Sequence, residues 1–230
     1  MKTQTIQKTA QIDSGTITDE ELSKINQFAL TPLTAEQVFT FKAILCDNEI
    51  DRTFERFSND ALEKLSSLIV GKTVIKNHIP DADNQVARIY SAEVTDTGQL
   101  TSYGEPYKQL TAHCYMVRTA GNADMIAEIS GGIRKEGSIS CSISNRNCSV
   151  CGKDSLKEYC SHRMGKVYEG KQCHFVLDGI ADAYEFSLVA IPAQRNAGIS
   201  KSYEQDETEE TEKIKELQQR LRLLLLNSRK

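Results

Sequence analysis

Four residues with metal-ligand chemistry fall close together in the sequence, as Cys148-x2-Cys151-x8-Cys160-x-His162. Tetrahedral Zn²⁺ takes thiolate and imidazole ligands, and a C-x2-C turn aims two sulfurs at one centre. Gly152, Lys153 and Asp154 between the pairs suit a tight knuckle. The surrounding loop, residues 145–172, is polar and has little apolar surface to bury, so a bound metal would explain its order. Four filled protein ligands leave no open position, which predicts a structural zinc rather than a catalytic one. Cys173 and His174 are alternates for one ligand, and a redox C-x2-C is the competing use of the same spacing.

The second chemistry is nucleophilic. From Ser138 to Ser144 small polar residues alternate with Ile or Cys at period two, the pattern of a half-buried strand. A serine needs a neighbouring base to attack, and histidine is the usual one. Of the four histidines, His162 belongs to the metal set, while His113 and His174 fall within apparent strands. His78 follows a strand in a loop with Asn77, Pro80 and Asp81, where catalytic groups are commonly presented. The residues alone leave open whether His78 pairs with Ser138, Ser140 or Ser142, or whether these are ordinary surface hydroxyls.

The elements that must position these groups are short. Val38–Leu45 is rich in β-branched and aromatic residues and reads as a strand. Ser58 or Asn59 caps a helix carrying Leu62, Leu65, Leu68 and Ile69, ended by Gly71. Strands are expected at 72–76, 86–94, 109–118, 173–177 and 184–191, with a short helix over 123–129. The 230 residues carry 28 Lys+Arg against 32 Asp+Glu, a net charge of −4 with no basic stripe, so specific nucleic-acid binding is not expected. No apolar run approaches the roughly 20 residues that span a membrane, and residues 1–15 lack the apolar centre of a signal peptide. A cytosolic chain follows, with its seven cysteines as thiols or metal ligands.

Four segments, in order, resemble one family. Ile50-Asp51-Arg52 with Phe54-Glu55-Arg56-Phe57 is the first. Gly71-Lys72-Thr73-Val74 through Asn77-His78, followed by Ala87-Arg88-Ile89, is the second. Gly132-Ile133-x-Lys135-Glu136-x-Ser138-Ile139-x-Cys141-Ser142 and Asp182 through Ala193 complete the set. Together they resemble the tailed-phage prohead (procapsid) maturation serine proteases, which are similar to herpesvirus assemblin, over roughly residues 36–200. The resemblance implies a β-rich α+β fold, an antiparallel β-barrel flanked by helices. It implies Ser138 as nucleophile, His78 as general base and Glu185 as the acidic third member, with no cofactor for catalysis. Asp178, Asp182 and His113 are rivals to Glu185. Gly137 and Ser140 depart from the family pattern, which has an apolar residue before the serine and Gly two after it. Arg88 and Arg134 are the candidate oxyanion donors.

The expected organisation is a flexible N-terminal arm (1–34), a protease domain (35–200) with the cysteine-rich zinc loop (145–172) inserted, an acidic linker (201–212) and a C-terminal amphipathic helix (213–228). The implied substrates are scaffold and major capsid proteins inside the procapsid. Ile214, Leu217, Leu221 and Leu224 recur at coiled-coil spacing and suggest docking on a scaffold helix or self-association. The rival reading is a non-enzymatic, zinc-stabilised virion module on the same fold.

Overall fold

The computed structural model describes residues 17–200. The acidic linker and the C-terminal helix lie outside the described residues, as do positions 1–16 of the N-terminal arm. The remainder of that arm forms α1 (Asp19–Asn26), which begins at a Thr18 capping box. Its Ile25 is fully buried in a cluster with Val38, Tyr90 and Tyr115. This part of the arm is a docked cover for the sheet rather than a free segment.

The sheet contains β1 (Val38–Asp47), β2 (Glu55–Phe57), β3 (Thr73–Lys76), β4 (Ala87–Leu100), β5 (Pro106–Val117) and β6 (Gly137–Cys148). A separate two-stranded ribbon pairs β7 (Val167–Tyr168) with β8 (Lys171–Gln172). β9 (Phe175–Leu188) and β10 (Gly198–Ser200) complete the main sheet. Its order is β10-β1-β5-β4-β3-β9-β2, with β6 along the other edge of β9. β3 and β2 run parallel to β9, and every other pairing is antiparallel. The expected closed antiparallel barrel is therefore not formed: the sheet is mixed and open. The parallel pairs arise because α2 (Asn59–Leu68) links β2 to β3, and a helical crossover returns the chain in the same direction. Ser58 caps α2 by accepting from the Ala61 N–H, and Ala61, Leu62 and Leu65 are buried in the main core.

Two expected strands, 173–177 and 184–191, merge into one. β9 stays paired with β6 throughout because bulges at Ser140/Cys141 and Ser142/Ile143 absorb the mismatch in register. Gly179, at φ +63°, takes the left-handed conformation within that run. A short helix, α3 (Ala123–Ser130), precedes β6. The chain then enters β6 through a clasp. Gly137 N–H donates to Ala197 O at 3.3 Å, Ile199 N–H to Lys135 O at 2.6 Å and Val189 N–H to Glu136 O at 3.1 Å. The start of β6 is thus held on both sides. No described helix is long and apolar enough to cross a membrane.

Candidate active site and metal centre

Strand alternation sorts β9 into two faces. Phe186 and Leu188 enter the core, while Glu185 and Ser187 point to the opposite side. Ser138 lies directly across from Ser187 and Ser140 across from Glu185, so all four share that outer face. On the other edge of β9, β3 ends at Lys76 beside Leu188, and the next residues carry His78 over the same place.

The histidine loop is held rigidly. Asn77 and His78 both have positive φ, 57° and 54°, a conformation that costs a non-glycine residue of order 1–3 kcal/mol. Several hydrogen bonds impose it. Asn77 N–H donates to Leu188 O at 3.0 Å and His78 N–H to Ser187 Oγ at 3.0 Å. The Asn84 amide donates to Lys76 O at 2.7 Å and to Ile79 O at 2.8 Å, closing the loop across its base.

The result is an acid–imidazole couple. His78 Nδ1 lies 2.7 Å from Glu185 Oε1, and Ser187 Oγ donates to Glu185 Oε2 at 2.8 Å. Glu185 is buried, whereas the His78 side chain is 42% exposed. With a carboxylate as its partner, Nδ1 must carry the proton, which leaves the Nε2 lone pair free to act as a base. Ser138 is half-buried one strand away; among the described residues no hydrogen bond joins its hydroxyl to the His78 ring. Catalytic hydrogen bonds are often long before substrate binds.

The rivals to Glu185 are engaged elsewhere. Asp182 pairs with Lys72 at 3.3 Å, and Asp178 accepts from the Gly179 N–H. His113 sits edge-on to Tyr90, near Glu93, where burial lowers its pKa. The two arginines considered as oxyanion donors also have partners: Arg134 bonds Glu128, and Arg88 donates to Gly71 O at 2.6 Å.

Gly137, unexpected before the first serine of β6, has a steric reason. A Cβ there would lie 1.9 Å from Cζ of the fully buried Phe186 ring. The ring occupies the space that an apolar side chain at 137 would need. Gly137→Ala should therefore cost at least about 1–3 kcal/mol, the usual range for overpacking a filled core. Urea unfolding checks this, and a midpoint equal to that of the native protein would refute the packing argument.

The metal ligands gather at the opposite end of β6. Donor atoms of Cys148, Cys151, Cys160 and His162 all lie within 4.8 Å of one another, so the cluster can hold a metal ion. Cys151 and Cys160 sulfurs are 3.7 Å apart, and His162 Nδ1 is 3.7 Å from Cys148 Sγ and 3.6 Å from Cys160 Sγ. Ligands about 2.0–2.3 Å from a tetrahedral zinc have edges of about 3.5–3.8 Å, so these three separations are compatible with that ion. Val150 N–H donates to Cys148 Sγ at 3.4 Å, and Gly152 N–H closes the turn onto Cys148 O at 2.8 Å. Burial opposes ionisation of Cys148, yet the N–H groups of Cys151 and Val150 together with the Cys160 and Cys151 thiols outweigh it and hold this thiol below its usual pKa. His162 stands edge-on to Tyr168. Of the alternates, Cys173 lies 3.9 Å from Cys148, with its pKa pushed up to about 11 by burial. His174 turns away to Arg56 and Tyr103.

Two features, one in this loop and one on β9, escaped the sequence reading. Asp154 Oδ1 accepts from the Arg146 and Leu156 N–H groups, and the Lys157 ammonium and these bonds bring its carboxyl pKa down to about 2. Ser187, which touches both His78 and Glu185, was also missed. Its i, i+2 spacing from Glu185 was the available signal, since it puts both side chains on one face. Comparison with protein-family models, curated proteins and solved structures finds no match for this chain.

Proposed function

We propose that this chain is a serine endopeptidase of the prohead-maturation kind, cleaving scaffold and capsid-protein segments inside the phage procapsid. The observation that carries this reading is the Glu185–His78 hydrogen bond, made one strand from Ser138. The ordered sequence segments support it independently. His78 Nε2 takes the Ser138 proton as Oγ attacks the scissile carbonyl, then returns it to the leaving amine. Glu185 holds the imidazole in the tautomer this requires and stabilises the imidazolium. One Zn²⁺ on Cys148, Cys151, Cys160 and His162 orders the loop and takes no part in the chemistry.

Co-expression with the phage's own capsid and scaffold proteins tests the activity. Mass spectrometry should find those proteins trimmed, and intact masses in every preparation would sink the protease reading. The absence of a Ser138–His78 hydrogen bond favours the second reading, a virion module on the same fold with its catalytic groups unused. Labelling of Ser138 by a fluorophosphonate separates the two, because an unused serine does not react. Residues 213–228 dock the enzyme to a scaffold helix or a second copy. Deleting residues 204–230 should leave fluorophosphonate labelling unchanged and reduce incorporation into proheads; equal packaging of the shortened chain would refute docking.

A further inference from the structure

We infer that Ser187 is a positioning residue for the proposed active site, fixing the acid and the base of the triad through one buried hydroxyl. The inference rests on the peptidase reading and adds a fourth member to it. Ser187 is fully buried, and its Oγ makes two contacts of opposite sense. Its O–H donates to Glu185 Oε2 at 2.8 Å, and its lone pair accepts the His78 backbone N–H at 3.0 Å. Glu185 is thereby held by both oxygens, one on the imidazole and one on Ser187, and cannot rotate away without breaking a buried bond. Breaking either bond would leave a buried polar group unsatisfied, so this arrangement is strongly preferred.

The second contact bears on the base. His78 holds a left-handed backbone conformation that an L-residue adopts only when its surroundings impose it. The Ser187 oxygen is the acceptor for the N–H of that strained residue. A single hydroxyl therefore sets both where the imidazole starts from and where its Nδ1 partner stands. Ser187 is also directly opposite Ser138 in the β6–β9 register, which places this anchor beside the nucleophile. It touches no reacting atom and acts through His78 and Glu185.

Proton NMR of the full-length, zinc-loaded wild-type chain provides the first test. A strongly downfield His78 Nδ1–H resonance and slow exchange of the His78 amide are expected, and a freely exchanging amide would overturn the inference without any variant. Fluorophosphonate labelling of Ser138 provides the second. Ser187→Ala should retain the native zinc content and near-UV circular dichroism, yet label about 10²-fold more slowly, the scale of an ångström-level misplacement. The downfield resonance should be lost with it. Ser187→Thr, which keeps the hydroxyl and suits a strand, should restore both readouts. Wild-type labelling rate and an intact downfield resonance in Ser187→Ala would overturn the proposal. If the wild-type chain itself fails to label, the peptidase reading falls, while the NMR readouts still decide whether Ser187 positions His78 and Glu185.

Discussion

On the proposed peptidase reading, Ser138→Ala should lower the rate of capsid-protein cleavage by on the order of 10⁴–10⁶-fold, while Ser140→Ala should leave most of it intact. Both serines lie on the outer face of β6, so the face alone does not choose between them. The width of the imidazole does. Ser140 is directly opposite Glu185, and directly opposed side chains have Cβ atoms only about 4.5–5.5 Å apart. That gap is too narrow for a ring that must bond the acid through Nδ1 and the nucleophile through Nε2. Ser138 stands diagonally from Glu185, where the separation is about 7–8 Å and the ring fits between. Ser142 is opposite Asp182, beyond a bulge and farther from His78. Cleavage of co-expressed capsid protein, quantified by intact mass, checks the ranking. A Ser140→Ala form as inactive as Ser138→Ala would overturn it.

Loss of the metal should have the other large effect, and it should be local. Structural zinc in small peptides binds with an apparent free energy of about 10–16 kcal/mol, most of which is folding free energy. The apolar cluster beneath this loop is small, with Cys148, Cys173 and Phe175 its buried members. Without metal, the two knuckle ligands and the two from the far strap are held together by little beyond this small cluster. Cys151→Ser, or treatment with a chelator, should therefore abolish stoichiometric zinc and open residues 149–172 to proteolysis. The main core, built around Leu45, Leu62, Leu65, Val74, Ile89, Leu110 and Phe186, contains none of these ligands. Ser138 is ten residues away along β6, at about 3.3 Å per residue. Labelling of Ser138 by fluorophosphonate should consequently persist in Cys151→Ser. Metal analysis, limited proteolysis and labelling together check this. Native protein that purifies without zinc, or a variant that loses labelling along with the loop, would refute the separation.

The loop's other supports show how it is attached. Arg146 bonds Glu55 at 2.6 Å and lies over the Phe175 ring, joining the base of the loop to β2 and β9. Asp154 collects two N–H groups and Lys157. These contacts fix where the loop leaves the sheet, whereas the cysteines and His162 fix how it folds on itself.

What the sequence determined by itself was local. The four candidate metal ligands lie close enough in the chain that spacing and donor type suffice to pick them out. Helix α2 was readable from its cap and its leucine spacing, and β6 from its period-two alternation, because both patterns repeat within a few residues. The His78–Glu185 couple spans more than a hundred residues, and only the parallel pairing of β3 with β9 brings it together. Composition could not rank Glu185 above Asp178, Asp182 or His113, since all four can partner an imidazole; the strand face and the loop strain make that choice. The openness of the sheet, the continuity of β9 through two bulges, and the glycine at 137 were likewise tertiary decisions. Phe186 fills the space beside Gly137 from a strand nearly fifty residues later, and no local pattern reports which ring will occupy a given void. Ser187 is the clearest case: an ordinary strand serine in sequence, whose hydroxyl acquires two partners only when β3 delivers His78 alongside β9.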